Sequence, residues 1–306
     1  MKRKILAFFA CLVLFAAAFP VTASADMGPK PSVVIDFKGL SGQTYYVTLL
    51  SSVDSTGPFT ALSRLKQDNS TVDAKEWYSG NEEDYPIYLK FVGYQDPDGY
   101  YFLQYFQNCS ETQQFSWTYY PPQNFKILIY FADSGGFAVS AAYERYAFDS
   151  YFSVDLTGTD VIASAARGET PTFNAVKSYD YSVETVSLIA RIILTIAVEL
   201  LVALLFAFRK KKQLLFILAV NVVTQIALNV SLNLINFSYG LLAFIALYVL
   251  LELLVFIVEA ILYAAFLKKF SDMLIPRWKP ILYALAANAA SFGVGLLLAR
   301  IIPGLF

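Results

Sequence analysis

Apolar positions follow two different rules along the chain. From residue 186 onward they run almost unbroken through 186–208, 213–235, 239–267 and 281–306, with short polar links between. Each stretch reaches the roughly 20 residues needed to cross a bilayer core, so four membrane-spanning helices are expected. Between 26 and 156 the apolar residues come in short runs instead: 32–37, 44–50, 86–92, 100–106, 125–131, 137–146 and 151–156. These runs are rich in aromatic and β-branched residues, which suit a pleated, half-buried surface. Asp96-Pro97-Asp98-Gly99 is a tight-turn signal between two of them. Seven short strands predict an all-β, antiparallel, sandwich-like domain over 26–156. The polar stretch 62–77 has room for a short helix. Residues 157–185, with Gly158, Gly168 and Pro171, read as a linker to the transmembrane domain, 186–306.

The amino terminus follows neither rule. Met1-Lys2-Arg3-Lys4 is a positive start, 5–19 is a short apolar core, and Pro20 and Ala23-Ser24-Ala25 fit a signal-peptidase site. Residues 1–25 therefore read as a cleaved signal peptide that carries the β-domain out of the cell. Cys11 leaves with it, and Cys109 remains as a lone cysteine. The exported domain is thus expected to hold together by its own core, without an internal disulfide.

Composition narrows the function classes. The chain is 57% hydrophobic and 15% charged, against about 25% charge in a typical soluble domain. Its net charge of −1 offers no basic field for nucleic acid. Histidine is absent, which excludes a Ser-His-Asp triad, a Cys-His pair and a HExxH zinc site. No Gly-rich phosphate loop is present. No catalytic residue, metal ligand or cofactor is assigned, and the chain is not expected to be an enzyme except by carboxylate chemistry. Asp96 and Asp98 resemble half of a calcium loop, but the further spaced oxygens and closing Glu are missing.

Charge placement gives a topology. Arg209, Lys210, Lys211, Lys212, Lys268, Lys269, Arg277 and Lys279 all fall in alternate links, whereas Asn236-Phe237-Ser238 is uncharged. The positive-inside rule then places the basic links in the cytoplasm, and the β-domain and C-terminus outside a plasma membrane.

The spans are not plain anchors. Glu199, Asn221, Gln225, Glu252, Glu259 and Asn288 are polar residues inside apolar stretches and form a candidate intramembrane cluster. A carboxylate at the bilayer centre costs roughly 2.5–3.5 kcal/mol on insertion scales, so these groups are expected to face inward. Glu199 and Glu252, each about thirteen residues from the outer end of its span, are expected at one level with Asn221 and Asn288. Arg191 and Asn229 form a candidate outer polar pair. Two readings compete: a site for an ion, proton or small ligand, or amide and carboxyl side chains bonding helix to helix.

Asp26-Met27-Gly28-Pro29-Lys30-Pro31-Ser32-Val33, Tyr45-Tyr46-Val47-Thr48-Leu49-Leu50-Ser51 and the segment from Leu251-Glu252 to Glu259-Ala260 resemble a group of uncharacterised exported membrane proteins of Gram-positive bacteria. The resemblance covers most of the mature chain. It implies a bacterial plasma membrane and the same two-part layout, and no known activity.

Three functions fit. The first is an extracytoplasmic binding or sensing module on a multi-pass bundle, in which some of Tyr45, Tyr46, Tyr85, Tyr88, Tyr94, Tyr100, Tyr101, Tyr105, Tyr119 and Tyr120 form a platform for an unknown extracellular ligand and the rest pack as core and cross-strand pairs. The second is an ion or small-solute transporter or channel component using the Glu/Asn cluster. The third is an intramembrane carboxylate enzyme. The partners implied are the lipid bilayer and a second copy or another membrane protein. The topology has a direct check: a cytoplasm-dependent reporter fused after Lys212 or Lys269 is expected to be active, and one after Ser238 or Phe306 silent. Activity after Ser238 reverses the scheme.

Overall fold

A computed structural model describes residues 28–65, 74–271 and 274–301. The signal peptide expected at 1–25 lies outside them. The described chain has a β-rich amino-terminal domain and a helical carboxy-terminal region.

Among its described residues the domain carries twelve strands: β1 (Ser32–Lys38), β2 (Tyr45–Ser51), β3 (Ser55–Thr56), β4 (Phe59–Thr60), β5 (Tyr101–Phe102), β6 (Gln107–Asn108), β7 (Gln114–Trp117), β8 (Asn124–Phe131), β9 (Gly136–Glu144), β10 (Asp149–Asp155), β11 (Thr172–Phe173) and β12 (Val176–Lys177). Among the described residues three short α-helices, α1 (Leu62–Leu65), α2 (Tyr85–Gly93) and α3 (Val161–Ala166), and one 3-10 turn, Glu82–Asp84, accompany them. One sheet has the order β12-β10-β1-β7 and the other β11-β9-β8-β2-β5, with β6 also on β2. Val33, Ile35 and Phe37 of β1 and Phe152 and Val154 of β10 meet Tyr45, Val47, Leu49, Ile127 and Ile129 from the other sheet in one core. The period-two alternation of these strands turns one face of each inward.

β8 departs from alternation because it is covered on both sides. Phe125, Ile127, Ile129 and Phe131 enter the inter-sheet core. Leu128 and Tyr130 face a second apolar layer with Phe91 of α2. A nearly continuous apolar run is what such a strand requires. Its one charge, Lys126, is neutralised by Asp96 at 2.9 Å and by Asp98. Burial alone would depress this ammonium; the two carboxylates outweigh it and hold the group above its ordinary value. Asp96 and Asp98 thus serve a buried lysine, and the half calcium loop is an ion-pair clamp. Cys109 is a free, buried thiol pushed up to about 12 by burial.

The structure corrects the sequence-based picture in four places. The sandwich is not wholly antiparallel: β1 pairs β10 in parallel, Ile35 opposite Phe152, and β11 pairs β9 in parallel. The strand expected at 86–92 is helix α2, with Pro86 in its first turn and Glu82, Glu83 and Asp84 just before it. Proline at the first helical positions and acids at the positive end of the dipole favour that start. Of the strand expected at 100–106, only Tyr101–Phe102 pairs. The linker expected at 157–185 is largely part of the domain, since α3, β11 and β12 pack on it and the first long helix begins at Ser182.

The helical region comprises α4 (Ser182–Leu205), α5 (Lys211–Phe266) and α6 (Trp278–Ile301). The spans expected at 213–235 and 239–267 belong to α5, which would extend about 84 Å if straight. It is not straight. Gly240 has φ 80° and ψ 179°, outside helical space, and separates 211–239 from 241–266. Gln213 bonds the Leu267 carbonyl, Asn221 the Tyr263 hydroxyl, and Thr224 bonds Glu259. These pairs are centred on residues 240–242, so α5 folds back on itself at Gly240. The regions 184–205 and 211–270 are long and apolar enough to cross a membrane.

The reversal also seats the β-domain. The Phe148 N–H donates to the Phe237 carbonyl at 2.8 Å. The Tyr146, Tyr179 and Tyr181 rings lie 5.4–6.3 Å from that of Phe237. The Phe148 ring occupies the space beside Gly240, 2.6 Å from where a Cβ would be. The opposite end of the helices gathers Phe208, Phe216, Phe270 and Tyr283, with Lys279 over the Phe208 ring. All eight basic residues of the links belong to that far end.

Gly240 sits in a backbone region that is essentially glycine-only, where other residues cost about 1–3 kcal/mol. Gly240→Ala is therefore expected to lower thermal stability in detergent by at least that amount. Adding Phe148→Ala is expected to restore the steric part and leave the backbone part. Parental stability in Gly240→Ala would refute this account of the turn.

Candidate functional site

The helical region shows an aliphatic exterior and buries its amides and carboxyls among apolar side chains such as Ile217, Leu228 and Leu232. Val186, Ile189, Ile193, Leu201, Leu215, Val223, Leu234, Ile245, Leu250, Leu254, Ile261, Leu285 and Leu297 are exposed. Ser187, Glu199, Gln213, Asn221, Thr224, Gln225, Asn229, Glu259, Asn288 and Ser291 are buried. In water that arrangement would forfeit hydrophobic stabilisation on every helix.

The buried groups form a compact cluster. Thr224 Oγ1 donates to Glu259 Oε1 and Asn288 Nδ2 to Glu259 Oε2, each at 2.7 Å. Asn221 Nδ2 donates to the Tyr263 hydroxyl at 2.9 Å and to the Ile217 carbonyl at 3.0 Å. Asn288 Nδ2 gives its other proton to the Ala284 carbonyl at 3.0 Å. The Tyr283 hydroxyl reaches the Glu199 carbonyl, and the Tyr263 and Tyr283 rings are 5.3 Å apart. Glu199 lies beside the Asn221 amide and within electrostatic range of Glu259. Neither of its carboxyl oxygens receives a hydrogen bond of normal geometry.

Glu252 borders this group, within electrostatic range of Glu199 and Glu259. It is half-buried and lines a cavity of about 300 Å³ with Arg191, Gln225, Asn229, Tyr248 and Ser291. Seven residues separate it from Glu259, which is about 10 Å along a helix toward the β-domain. Arg191 donates to Ser187 Oγ at 2.7 Å, and its guanidinium stands 5.9 Å from the Phe244 ring. The aromatic rings of Phe244, Tyr248 and Phe292 stack in series along the same wall. Asn229 bonds back to Gln225 on its own helix at 2.9 Å. The expected outer pair, Arg191 and Asn229, therefore shares this cavity.

Glu199, Asn221, Glu259 and Asn288 converge, Gln225 and Glu252 border the adjoining cavity, and Thr224, Tyr263 and Tyr283 complete the cluster without having been anticipated. A signal for the grouping was present. Glu199 stands ten residues before Arg209, Glu259 nine before Lys268, Asn221 nine after Lys212 and Asn288 nine after Lys279. Depth counted from the basic links selects these four together and leaves Glu252 out.

A second concavity lies on the β-domain. An open cleft of about 540 Å³ is lined by Trp77, Tyr78, Asn81, Asp84, Gln104 and Asn108 among others. Trp77 is 50% exposed, and Tyr78 packs 4.7 Å from Tyr88. Burial and the nearby Asp84 push the Tyr78 phenol above its ordinary value. Gln104 is held at φ 64°, an uncommon conformation for a non-glycine residue, by bonds from its amide to the Thr60 carbonyl and from the Tyr88 hydroxyl. Most of the other tyrosines are packing residues: Tyr45 and Tyr88 are buried, while Tyr101 and Tyr120 remain partly exposed.

Fold and site together define a class: a mixed-sheet domain seated on a polarity-inverted helical unit with a buried carboxylate–amide–tyrosine cluster. No family model, curated protein or solved structure matches the chain.

The bonding pattern ranks the glutamates. Glu259→Leu leaves one Asn288 amide proton without its buried acceptor, at about 1–3 kcal/mol, and turns the Thr224 hydroxyl back to the Val220 carbonyl. It is expected to lower thermal stability in detergent and surface abundance clearly, Glu259→Gln to lower them less, and Glu252→Leu least. Glu252→Leu more damaging than Glu259→Leu would reverse the assignment.

Proposed function

We propose that the chain is an integral plasma-membrane protein whose helical unit crosses the bilayer four times and whose β-domain is an extracytoplasmic binding or sensing head. The observation that carries the membrane reading is the polarity inversion: aliphatic side chains outward, amides and carboxyls inward. The fold-back at Gly240 supports four crossings, with α4, the two limbs of α5, and α6 as the spans. The basic links gather at the end away from the β-domain, which supports a cytoplasmic assignment for that end and an outside location for the head. The resemblance to exported membrane proteins of Gram-positive bacteria agrees with this layout and is part of the proposal.

The head reading rests on the cleft at Trp77. An exposed indole beside a tyrosine, amides and one carboxylate is chemistry for a ligand with an apolar ring face and hydroxyl groups, as in a saccharide. The aromatic clasp around Phe237 supports a head that acts with the bundle, because a tethered domain alone requires no such contact. Transport of an ion or small solute is the second reading, favoured by the cavity between Arg191 and Glu252 and the polar cluster below it. The carboxylate-enzyme alternative has less support, since both Glu259 oxygens are engaged as acceptors and Glu199 is fully buried.

Tryptophan emission of the full chain in detergent tests the head. Soluble oligosaccharides from cell-wall and storage polymers are expected to change it saturably, and Trp77→Ala is expected to remove the response while Trp278→Phe keeps it. A response confined to peptides would move the ligand class, and a response that survives Trp77→Ala would dismiss this cleft.

A further inference from the structure

The cavity beside Arg191 has a cationic end and an acidic end that do not pair with each other. It holds about 300 Å³ between α4, both limbs of α5 and α6, at the small end of the range for ligand pockets, about 300–1,000 Å³. The Arg191 guanidinium makes two bonds, both to Ser187 Oγ, at 2.7 and 3.1 Å, and has further N–H groups to offer. Among the described residues no carboxylate lies within ion-pair distance of it. Glu184 acts on it only from further off and is engaged by the Tyr179 hydroxyl. The acidic end is Glu252, with the Tyr248 hydroxyl beside it. Arg191 stands against the Phe244 ring, and Phe244 precedes Glu252 by about 12 Å along the limb. Tyr248 lies between the two ends and within electrostatic range of both.

Two buried amides face the same space. Gln225 and Asn229 are 2% and 4% exposed, and both line the cavity. Asn229 Nδ2 donates to the Gln225 backbone carbonyl and to Gln225 Oε1. Gln225 Nε2 is left as a donor and Asn229 Oδ1 as an acceptor, neither bonded among the described residues and neither fully enclosed by protein. The stacked rings of Phe244, Tyr248 and Phe292 form an apolar wall. Ile245 and Val249 line the cavity and are also exposed, so it opens between them.

We propose that this cavity binds a small zwitterion with an apolar or aromatic body, an amino carboxylate whose carboxylate bonds Arg191 and whose ammonium bonds Glu252. A guanidinium takes a carboxylate through two parallel N–H bonds, and an enclosed charge without a partner is costly. One ligand carrying both charges satisfies both ends; a plain anion or a plain amine satisfies one and leaves the other. Gln225 Nε2 adds a donor for the carboxylate, Asn229 Oδ1 an acceptor for the ammonium, and the rings flank the body. The inference rests on the cavity that favours the solute reading, and concerns what is bound there rather than whether it is moved.

Calorimetry of the full chain in detergent tests it with phenylalanine, 3-phenylpropanoate, phenethylamine and glycine. Phenylalanine is expected to bind saturably at one site per chain. The other three, lacking the amine, the carboxylate or the body, are each expected to bind roughly tenfold more weakly or worse. Arg191→Gln is expected to abolish the preference for phenylalanine over phenethylamine, and Glu252→Gln the preference over 3-phenylpropanoate. Should a variant not fold, the ranking of the four probes on the parent decides. Equal binding of 3-phenylpropanoate or of phenethylamine by the parent would mean a site for one charge and overturn the proposal. So would a phenylalanine preference that survives both substitutions. Absence of a phenylalanine signal in detergents of two chain lengths would leave the cavity to acyl chains and overturn it too. Uptake of labelled phenylalanine by proteoliposomes is read separately: binding without uptake keeps this inference and dismisses transport, whereas uptake of another solute without phenylalanine binding dismisses this inference alone.

Discussion

The backbone reversal at Gly240 is the constraint on which both halves of the molecule depend. The weak helix formers Asn236, Phe237, Ser238 and Tyr239 loosen α5 near residue 240 without by themselves ending it. What ends it is a glycine-only conformation with the Phe148 ring lodged where a side chain would be. The same contact that breaks the helix also docks the β-domain. Fixing the turn at this residue sets the pairing of the two limbs, and that pairing places Thr224 opposite Glu259 and Asn221 opposite Tyr263. A turn displaced by one residue would rotate these polar side chains by about 100° around each limb and face them with aliphatic neighbours.

Energetically the two halves are built on opposite rules. The β-domain hides its apolar surface, and its one buried lysine is held by two aspartates. The helical unit shows its apolar surface and hides amides and carboxyls. On the proposed membrane location a hydrocarbon exterior accounts for this arrangement, because lipid gives no hydrophobic drive between helices and leaves close packing and side-chain hydrogen bonds to hold them. Ring contacts at both ends, around Phe237 and around Tyr283, frame the polar interior between them.

Much of this was legible in the sequence where a local rule dominates. β1, β2, β8, β9 and β10 lie where alternation places them, and the long apolar stretches are helices. The failures have physical causes. Residues 86–92 look like a strand by composition, but Pro86 behind three acids is a helix start, and the surface that receives Phe91 is made by β8, far along the chain. Residues 157–181 contain glycine and polar side chains, yet β11 and β12 gain order by completing sheet edges, which no local signal records. Counting depth from the outer ends of the spans placed Glu252 level with Glu199, whereas it stands two helical turns from Glu259 toward the β-domain, at the border of the cluster. The basic links mark level better: Glu199, Asn221, Glu259 and Asn288 each lie nine or ten residues from one.

The clasp, the cavity and the cluster lie on the same pair of helical limbs, and this gives a route by which head and bundle affect each other. Phe237 and Gly240 contact the β-domain. One turn further along, Phe244 and Tyr248 stack and line the cavity, and Phe292 of α6 continues the stack. Below them Glu259 holds Asn288 of α6 and Thr224 of the opposing limb at once. Because Glu259 bridges three segments, a small rotation of 241–266 cannot be absorbed locally. It must either break a 2.7 Å bond to a buried partner or carry α6 with it. Packed interiors resist graded deformation, so such an element favours discrete arrangements. The hydrogen bonds that hold the helices together are therefore also the contacts through which a change at the clasp would reach the buried cluster.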